Sequence, residues 1–115
     1  MTPRLATGML VGVLRQMAER EGGSGTVLQR GDATAGGLIA VLAERGETRF
    51  SLERRTGWAG ELLWDRRKPE SESAENRQSF SQMLHRRMSD DPDSWQIELD
   101  IADAERFAVQ MTAIG

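Results

Sequence analysis

The chain has 115 residues, 18 acids against 15 lysines and arginines, and no cysteine. That length suits one domain, residues 1–115, with a core of its own. Without cysteine there are no disulfides and no thiolate metal sites, and a formal net charge of −3 supplies no general attraction to nucleic acid or anionic lipid. All but one of the basic residues are Arg, so no single Arg is marked as a phosphate reader by its type.

An apolar run over residues 9–14 is short, contains Gly12 and stops at Arg15, and no small-residue cleavage site follows it. The run is therefore not expected to be a signal peptide, nor a membrane span, which needs ~18 apolar residues. The expectation is a soluble cytoplasmic protein. Pro3 suits a first helical position and Thr2 a cap, which predicts a helix over residues 3–20, ended by Gly22 and Gly23. Leu5, Ala6, Met9, Leu10, Val13, Leu14 and Met17 share one side of it. Their arc is wider than the ~100° stripe of an ordinary surface helix. Leu10 and Leu14 lie at its edge, with Val11 and Ala18 beyond. Exposed apolar area of this kind marks interfaces, so these four residues are expected to form the contact of a homodimer. Cover by the chain's own later helices is the competing account. Gly8 and Gly12, off the arc, would permit close backbone approach.

Residues 26–45 organise the rest. They read as two antiparallel strands joined by a loop over residues 31–36. Residues 38–43, LIAVLA, are an unbroken apolar run, which suits a central strand covered on both faces. Gly46 then turns the chain into a second hairpin, residues 48–55 and 61–67, around a loop over 56–60. That loop length sets Leu52 opposite Trp64 and Arg55 opposite Glu61. Phe50, Leu52, Leu62 and Trp64 then share a dry face, and Ser51, Glu53, Arg55, Glu61, Asp65 and Arg67 a wet one. Residues 69–78, PESESAENRQ, are polar and aperiodic and read as a connector or frayed helix start. A second helix over 74–88 carries Phe80, Met83, Leu84 and Met88 on its buried side. A strand over 94–101 alternates Trp95, Ile97, Leu99 and Ile101 inward with Gln96, Glu98 and Asp100 outward. Asp103 caps a last helix with Ala104, Phe107, Ala108 and Met111 on one stripe. The expected fold is α+β, order α-ββββ-α-β-α: a mainly antiparallel five-stranded sheet with helices on one face.

Three segments taken together, RLATGMLV, RGDATAGGLIAVLAERG and DPDSWQIELDIADAERF, resemble a family of short alphaproteobacterial proteins known only as a domain of unknown function. The resemblance spans nearly the whole chain and implies one domain in a bacterial cytoplasm. It implies no activity, cofactor or catalytic residue.

Several constellations are weighed against ordinary structural roles. Gly31 and Gly36 have the spacing of a phosphate loop, but Gly37 and Leu38 stand where Lys and Ser or Thr are needed. A turn in which the Asp32 carboxylate accepts from backbone N–H groups near Thr34 is the better account, with the glycines at unusual dihedrals. The Gly-rich residues 22–26 follow a helix C-terminus, the wrong end for phosphate. His85, the only histidine, lies on the polar side of its helix near Ser81, with no orienting acid. Asp90, Asp91 and Asp93 lack calcium-loop spacing, so no metal is expected. Residues 90–106 carry seven acids and one base, a solvated acidic stretch. Arg66, Arg67 and Lys68 are the densest basic run, set apart along the strands from Trp58 at the turn.

The first hypothesis is therefore a non-catalytic interaction module that self-associates and has an unidentified protein partner. No cofactor is expected. The second is an enzyme or small-ligand binder using Arg30, Asp32 and Thr34 of the 31–36 loop. The third is a nucleic-acid accessory protein using Arg49, Arg66, Arg67 and Lys68, which the net charge disfavours. No membrane partner is expected.

Overall fold

The structure is a computed structural model that describes residues 5–34 and 36–114. The order is α1 (Thr7–Arg20), β1 (Ser24–Gln29), β2 (Leu38–Glu44), β3 (Glu47–Thr56), β4 (Leu62–Arg67), α2 (Ala74–Asp90), β5 (Trp95–Asp100) and α3 (Ala104–Thr112). The class is α+β, as the element order predicts. The expected cap at Thr2 and helix start at Pro3 lie outside the described residues.

The sheet is mixed rather than mainly antiparallel, with strand order β1-β5-β2-β3-β4. The expected β1–β2 hairpin does not form. β5 lies between the two strands, antiparallel to β1 and parallel to β2. The reason lies in β2, whose residues 38–43 are all buried. A strand buried on both faces needs hydrogen-bonded neighbours on both edges. β3 supplies one edge through the tight turn at Arg45 and Gly46, both at positive φ. β5, apolar on alternate positions, supplies the other. β1, alternately half-buried and exposed, is left at the edge.

The same strand explains why the helices are not on one face. Leu38, Ala40 and Leu42 point into a core shared with α1 and α3, whose largest fully buried members include Leu10, Leu14 and Phe107. Ile39 and Val41 point the other way, where α2 covers them with Phe80 and Leu84. The face read as wet on β3 and β5 therefore lies partly under α2. Ser51 is buried, and buried Gln96 donates to the Leu84 carbonyl at 3.0 Å. Glu53 accepts from Arg87 of α2 at 2.5 Å. That bond holds the Arg87 guanidinium above its ordinary range, against the desolvation that lowers it.

The β3–β4 hairpin sorts its faces as predicted, but in a register two residues away. Leu52 pairs with Arg66, and Trp64 with Arg54. A shift of two preserves every side chain's face. Its cause is a shorter loop. Gly57 N–H donates to the Glu61 carbonyl at 2.7 Å, leaving only Trp58, Ala59 and Gly60 at the tip. Gly60, at φ +85, takes the left-handed position that such loops reserve for glycine.

Of the polar residues 69–78, those from Ala74 onward belong to α2. The Ser73 hydroxyl accepts from the Asn76 N–H at 3.1 Å and caps the helix. Asp103 caps α3 as expected, accepting from the Arg106 N–H at 3.1 Å. The Glu44 carboxylate adds a bond from the Ala104 N–H at 2.7 Å.

The residues assigned to a dimer contact do not form a surface. Leu10, Val11, Leu14 and Ala18 are 0–3% exposed and sit in the chain's own core with the sheet and α3. The helix is turned so that its buried side runs Thr7, Leu10, Val11, Leu14, Ala18, and Met9, placed inward by the apolar arc, is 64% exposed. The apolar arc and the packed stripe differ because the Thr7 hydroxyl is held by the Gly36 carbonyl at 2.7 Å and Gly25 of β1, where a Cβ would lie 3.0 Å from the Arg15 Cα, brings that side of the helix close to the sheet. Gly8 approaches Ala33, but nothing lies near Gly12. Leu14→Glu is accordingly expected to place a charge in a dry core. It should cost about 4 kcal/mol or more, read as loss of the cooperative urea transition. A folded variant with the wild-type midpoint would show that Leu14 is not core.

Candidate functional site

Residues 30–34, 36 and 37 lie on the crossing from edge strand β1 to central β2 over the start of β5, and Thr34, Gly36 and Gly37 form one wall of a cleft. The loop is tied down along its length. Asp32 N–H donates to the Asp93 carbonyl at 2.9 Å, and the Asp32 carbonyl accepts from the Trp95 indole N–H at 2.8 Å. Trp95 N–H donates to the Gly37 carbonyl at 2.7 Å. The Gln29 amide reaches the Ser94 carbonyl at 2.7 Å. A Cβ at Gly31 or Gly36 would lie 2.2 or 2.3 Å from the Asp93 carbonyl oxygen. Close backbone approach therefore requires these glycines. The dihedral reason given at the sequence level does not apply at Gly31, whose φ is not positive.

The loop also serves α1. No side chain caps that helix. Instead the Ala33 carbonyl accepts from the Gly8 N–H at 2.9 Å, and the buried Thr7 hydroxyl donates to the Gly36 carbonyl at 2.7 Å. A loop carbonyl thus satisfies one of the orphan donors of the helix start.

The cleft lies between this loop, the start of α1 and the far ends of β3 and β4, with a volume of about 640 Å³. Its walls include Leu5, Ala6, Thr7, Thr34, Glu53, Arg54, Arg55, Thr56 and Leu62. Of the three predicted ligand residues, only Thr34 lines it. The Asp32 carboxylate accepts from the Thr34 N–H at 2.9 Å, the predicted turn. Arg30 lies over the Trp95 ring, 5.3 Å from its centroid. The three are brought together as supports of the loop rather than as one binding surface.

Sequence reading missed the other wall. Arg54 and Arg55 come from β3, and although the sequence places both on that strand, nothing local shows that its end and the start of β4 lie beside the start of α1. The charged groups here are engaged. Glu53 meets Arg87, Arg55 meets Asp65 at 2.5 Å, and Arg54 reaches the Leu5 carbonyl at 3.4 Å.

The remaining candidates are dispersed. His85 and Ser81 are exposed on α2, and Asp90, Asp91 and Asp93 are exposed around its end. Among the described residues no three His, Asp or Glu side chains converge as a metal site. Arg66 and Arg67, adjacent on β4, point to opposite faces. Arg66 lies 3.8 Å from the Phe50 ring centroid and is bonded to Glu105 of α3. Arg49 sits between Glu44 and Glu72, at 3.7 and 3.8 Å. The four basic residues therefore form no continuous stripe. Among the described residues no helix is long and apolar enough to cross a membrane.

Fold and cleft together define a small α+β protein, a mixed sheet between helices with a half-open cleft at one end. The chain belongs to the family described as "Protein of unknown function (DUF1491)", whose model matches residues 5–109. It is similar to a DUF1491 protein from Caulobacter crescentus solved by NMR, at 28% identity and TM-score 0.70, covering 92% of this chain and 94% of that one. A crystal structure of a DUF1491 protein from the same organism gives 28% identity and TM-score 0.71, over 90% of this chain and 94% of that one. A protein from A. tumefaciens shares the fold at 19% identity and TM-score 0.68, over 91% and 92% of the two chains. No curated protein matches the chain.

Two outcomes test this account of the loop. Asp32→Ala removes one local side-chain bond and should cost about 0.5–2 kcal/mol. Gly31→Ala drives a Cβ into backbone and should cost more, about 1–3 kcal/mol. Urea midpoints rank the two, and a neutral Gly31→Ala would refute the close approach.

Arg66 gives a pH test. Its hydrogen bond holds the Glu105 carboxyl below the usual carboxylate range. A depressed folded pKa stabilises above the unfolded value, and that contribution is lost as pH falls through the folded one. Arg66→Ala should therefore move the Glu105 titration upward in carboxyl-carbon NMR. An unchanged titration would show that the pair does not persist in solution.

Proposed function

We propose that this chain is a non-catalytic interaction module of the bacterial cytoplasm, one domain over its length, and that Trp58 is its point of contact. The observation that carries this reading is the exposure of Trp58, which is complete at 103%. A tryptophan carries roughly 150–250 Å² that ordinarily ends up buried. Here it stands on a turn that is already ordered. Gly57 N–H donates to the Glu61 carbonyl at 2.7 Å and Gly60 N–H to the Gly57 carbonyl at 2.9 Å. Holding the tip in place before binding lowers the ordering cost of association, and Trp is among the residue types that dominate binding energy. The other exposed large apolar residues, Met9, Leu28, Val109 and Ile114, are aliphatic and spread over separate elements. Scattered single residues of that kind are normal.

The cleft favours a second reading, a small-ligand binder. Its volume, about 640 Å³, falls within the roughly 300–1,000 Å³ of ligand pockets. Its carboxylate and its arginines are already paired, which suits binding better than proton transfer.

Affinity capture from the native host tests the first reading, with tagged wild type, Trp58→Ala and a Leu28→Ala control. Trp58→Ala should leave stability within about 0.5 kcal/mol while removing the specific partners that the control retains. Equal capture of the same proteins by the Trp58→Ala variant would overturn it.

A further inference from the structure

We infer that Trp58 is received by a second copy of this chain, in the cleft beside the same hairpin. This rests on the reading of Trp58 as a point of contact and names its partner.

Trp58 and the cleft are neighbours on the surface. Thr56 and Leu62, at the base of the hairpin, line the cleft. Trp58 follows Thr56 by two residues, roughly 7 Å of extended chain. Projection and receptor therefore occupy one patch of surface. A two-fold dimer requires that arrangement, because each copy must offer both halves of the contact from the same patch. The indole does not fill its own cleft, since it is fully exposed and its turn is tied at Gly57.

A cavity of about 150 Å³ holds a benzene ring, so a cleft of about 640 Å³ admits an indole. Leu5 and Leu62 offer apolar walls, and Arg55, exposed and bonded to Asp65 through one edge of its guanidinium, has the flat face of that group left for the negative face of the ring. This chain already uses that contact twice, Arg30 over Trp95 at 5.3 Å and Arg66 over Phe50 at 3.8 Å.

Area sets the strength. Two indoles contribute roughly 300–500 Å², and the walls they cover a similar amount. The total lies below the ~1,200 Å² lower bound of standard interfaces. The dimer is therefore reversible, with a dissociation constant in the micromolar range or weaker.

Sedimentation velocity of the full chain, from low micromolar to submillimolar concentration, tests the inference. Wild type should show a sedimentation coefficient that rises with concentration. Trp58→Ala, which removes the projection, and Thr34→Trp, which fills the cleft, should each weaken association by about tenfold or more. Mixing the two variants should restore it in part, because the mixed dimer regains one of the two contacts, the intact Trp58 of one variant in the intact cleft of the other. If Thr34→Trp does not fold, Thr56→Trp on the opposite wall takes its place. Wild type that stays monomeric throughout overturns the inference. So does a mixture no more associated than its components, or association undiminished in either variant. A monomeric wild type whose captured partners still depend on Trp58 would sink the second copy and leave the interaction module standing. Capture that ignores Trp58 would sink both.

Discussion

Residues 38–43 of β2 are buried without a break, and a strand in that position sets demands on everything around it. Both of its edges must be hydrogen-bonded and both of its faces covered by apolar side chains. β3 and β5 meet the first demand. α1 and α3 on one face and α2 on the other meet the second. The two covers are unequal. The α1/α3 side holds the large core, and the α2 side is thin, with Phe80 and Leu84 over Ile39 and Val41. Hydrogen bonds and ion pairs complete the thin side, Gln96 to Leu84 and Arg87 to Glu53.

Placing β5 beside β2 has a topological cost, since the chain must cross the start of β5 to pass from β1 to β2. Residues 30–34, 36 and 37 lie on that crossing in contact with backbone, which explains Gly31 and Gly36 against Asp93. The crossing also brings Ala33 and Gly36 to the start of α1, where the Ala33 carbonyl takes the place of a side-chain cap and the Gly36 carbonyl anchors the Thr7 hydroxyl. The cleft is a by-product of this route. It opens where the crossing loop and the α1 start stand back from the ends of β3 and β4.

The surfaces proposed for contact sit at that same end. Trp58 projects from the β3–β4 tip, and the cleft lies at the base of the same hairpin. Arginine faces run through the structure as a recurring contact, on Trp95 and on Phe50. The guanidinium is a cation and a planar surface together, so a chain whose bases are nearly all Arg can stack as well as pair. Arg66 is engaged by Phe50 and Glu105, and Arg49 by Glu44 and Glu72.

What the residues determine by themselves is local. The inward set Trp95, Ile97, Leu99 and Ile101, the stripe of 104–111, the Asp103 cap and the Asp32 turn depend on near neighbours and are as the residues indicate, whereas Gln96, read as outward, is buried beneath α2. The two faces of the β3–β4 hairpin are also correct, because a period of two survives a register shift of two. The family was legible too, in three segments whose order runs the length of the chain. What tertiary structure alone decided is pairing and cover. The unbroken run of β2 asked for cover on both faces, but nothing local says which helix lies on which side. Nothing in β1 and β2 shows that a strand nearly sixty residues later would part them. The stripe that α1 buries is not its most apolar arc, because the bond from Thr7 to the Gly36 carbonyl and the close approach of Gly25 to Arg15 set how the helix is turned, and leave Met9 outside. The cleft was illegible for the same reason. Its walls come from α1, the crossing loop and the strand ends, and only the long-range pairing of β2 with β5 brings them together.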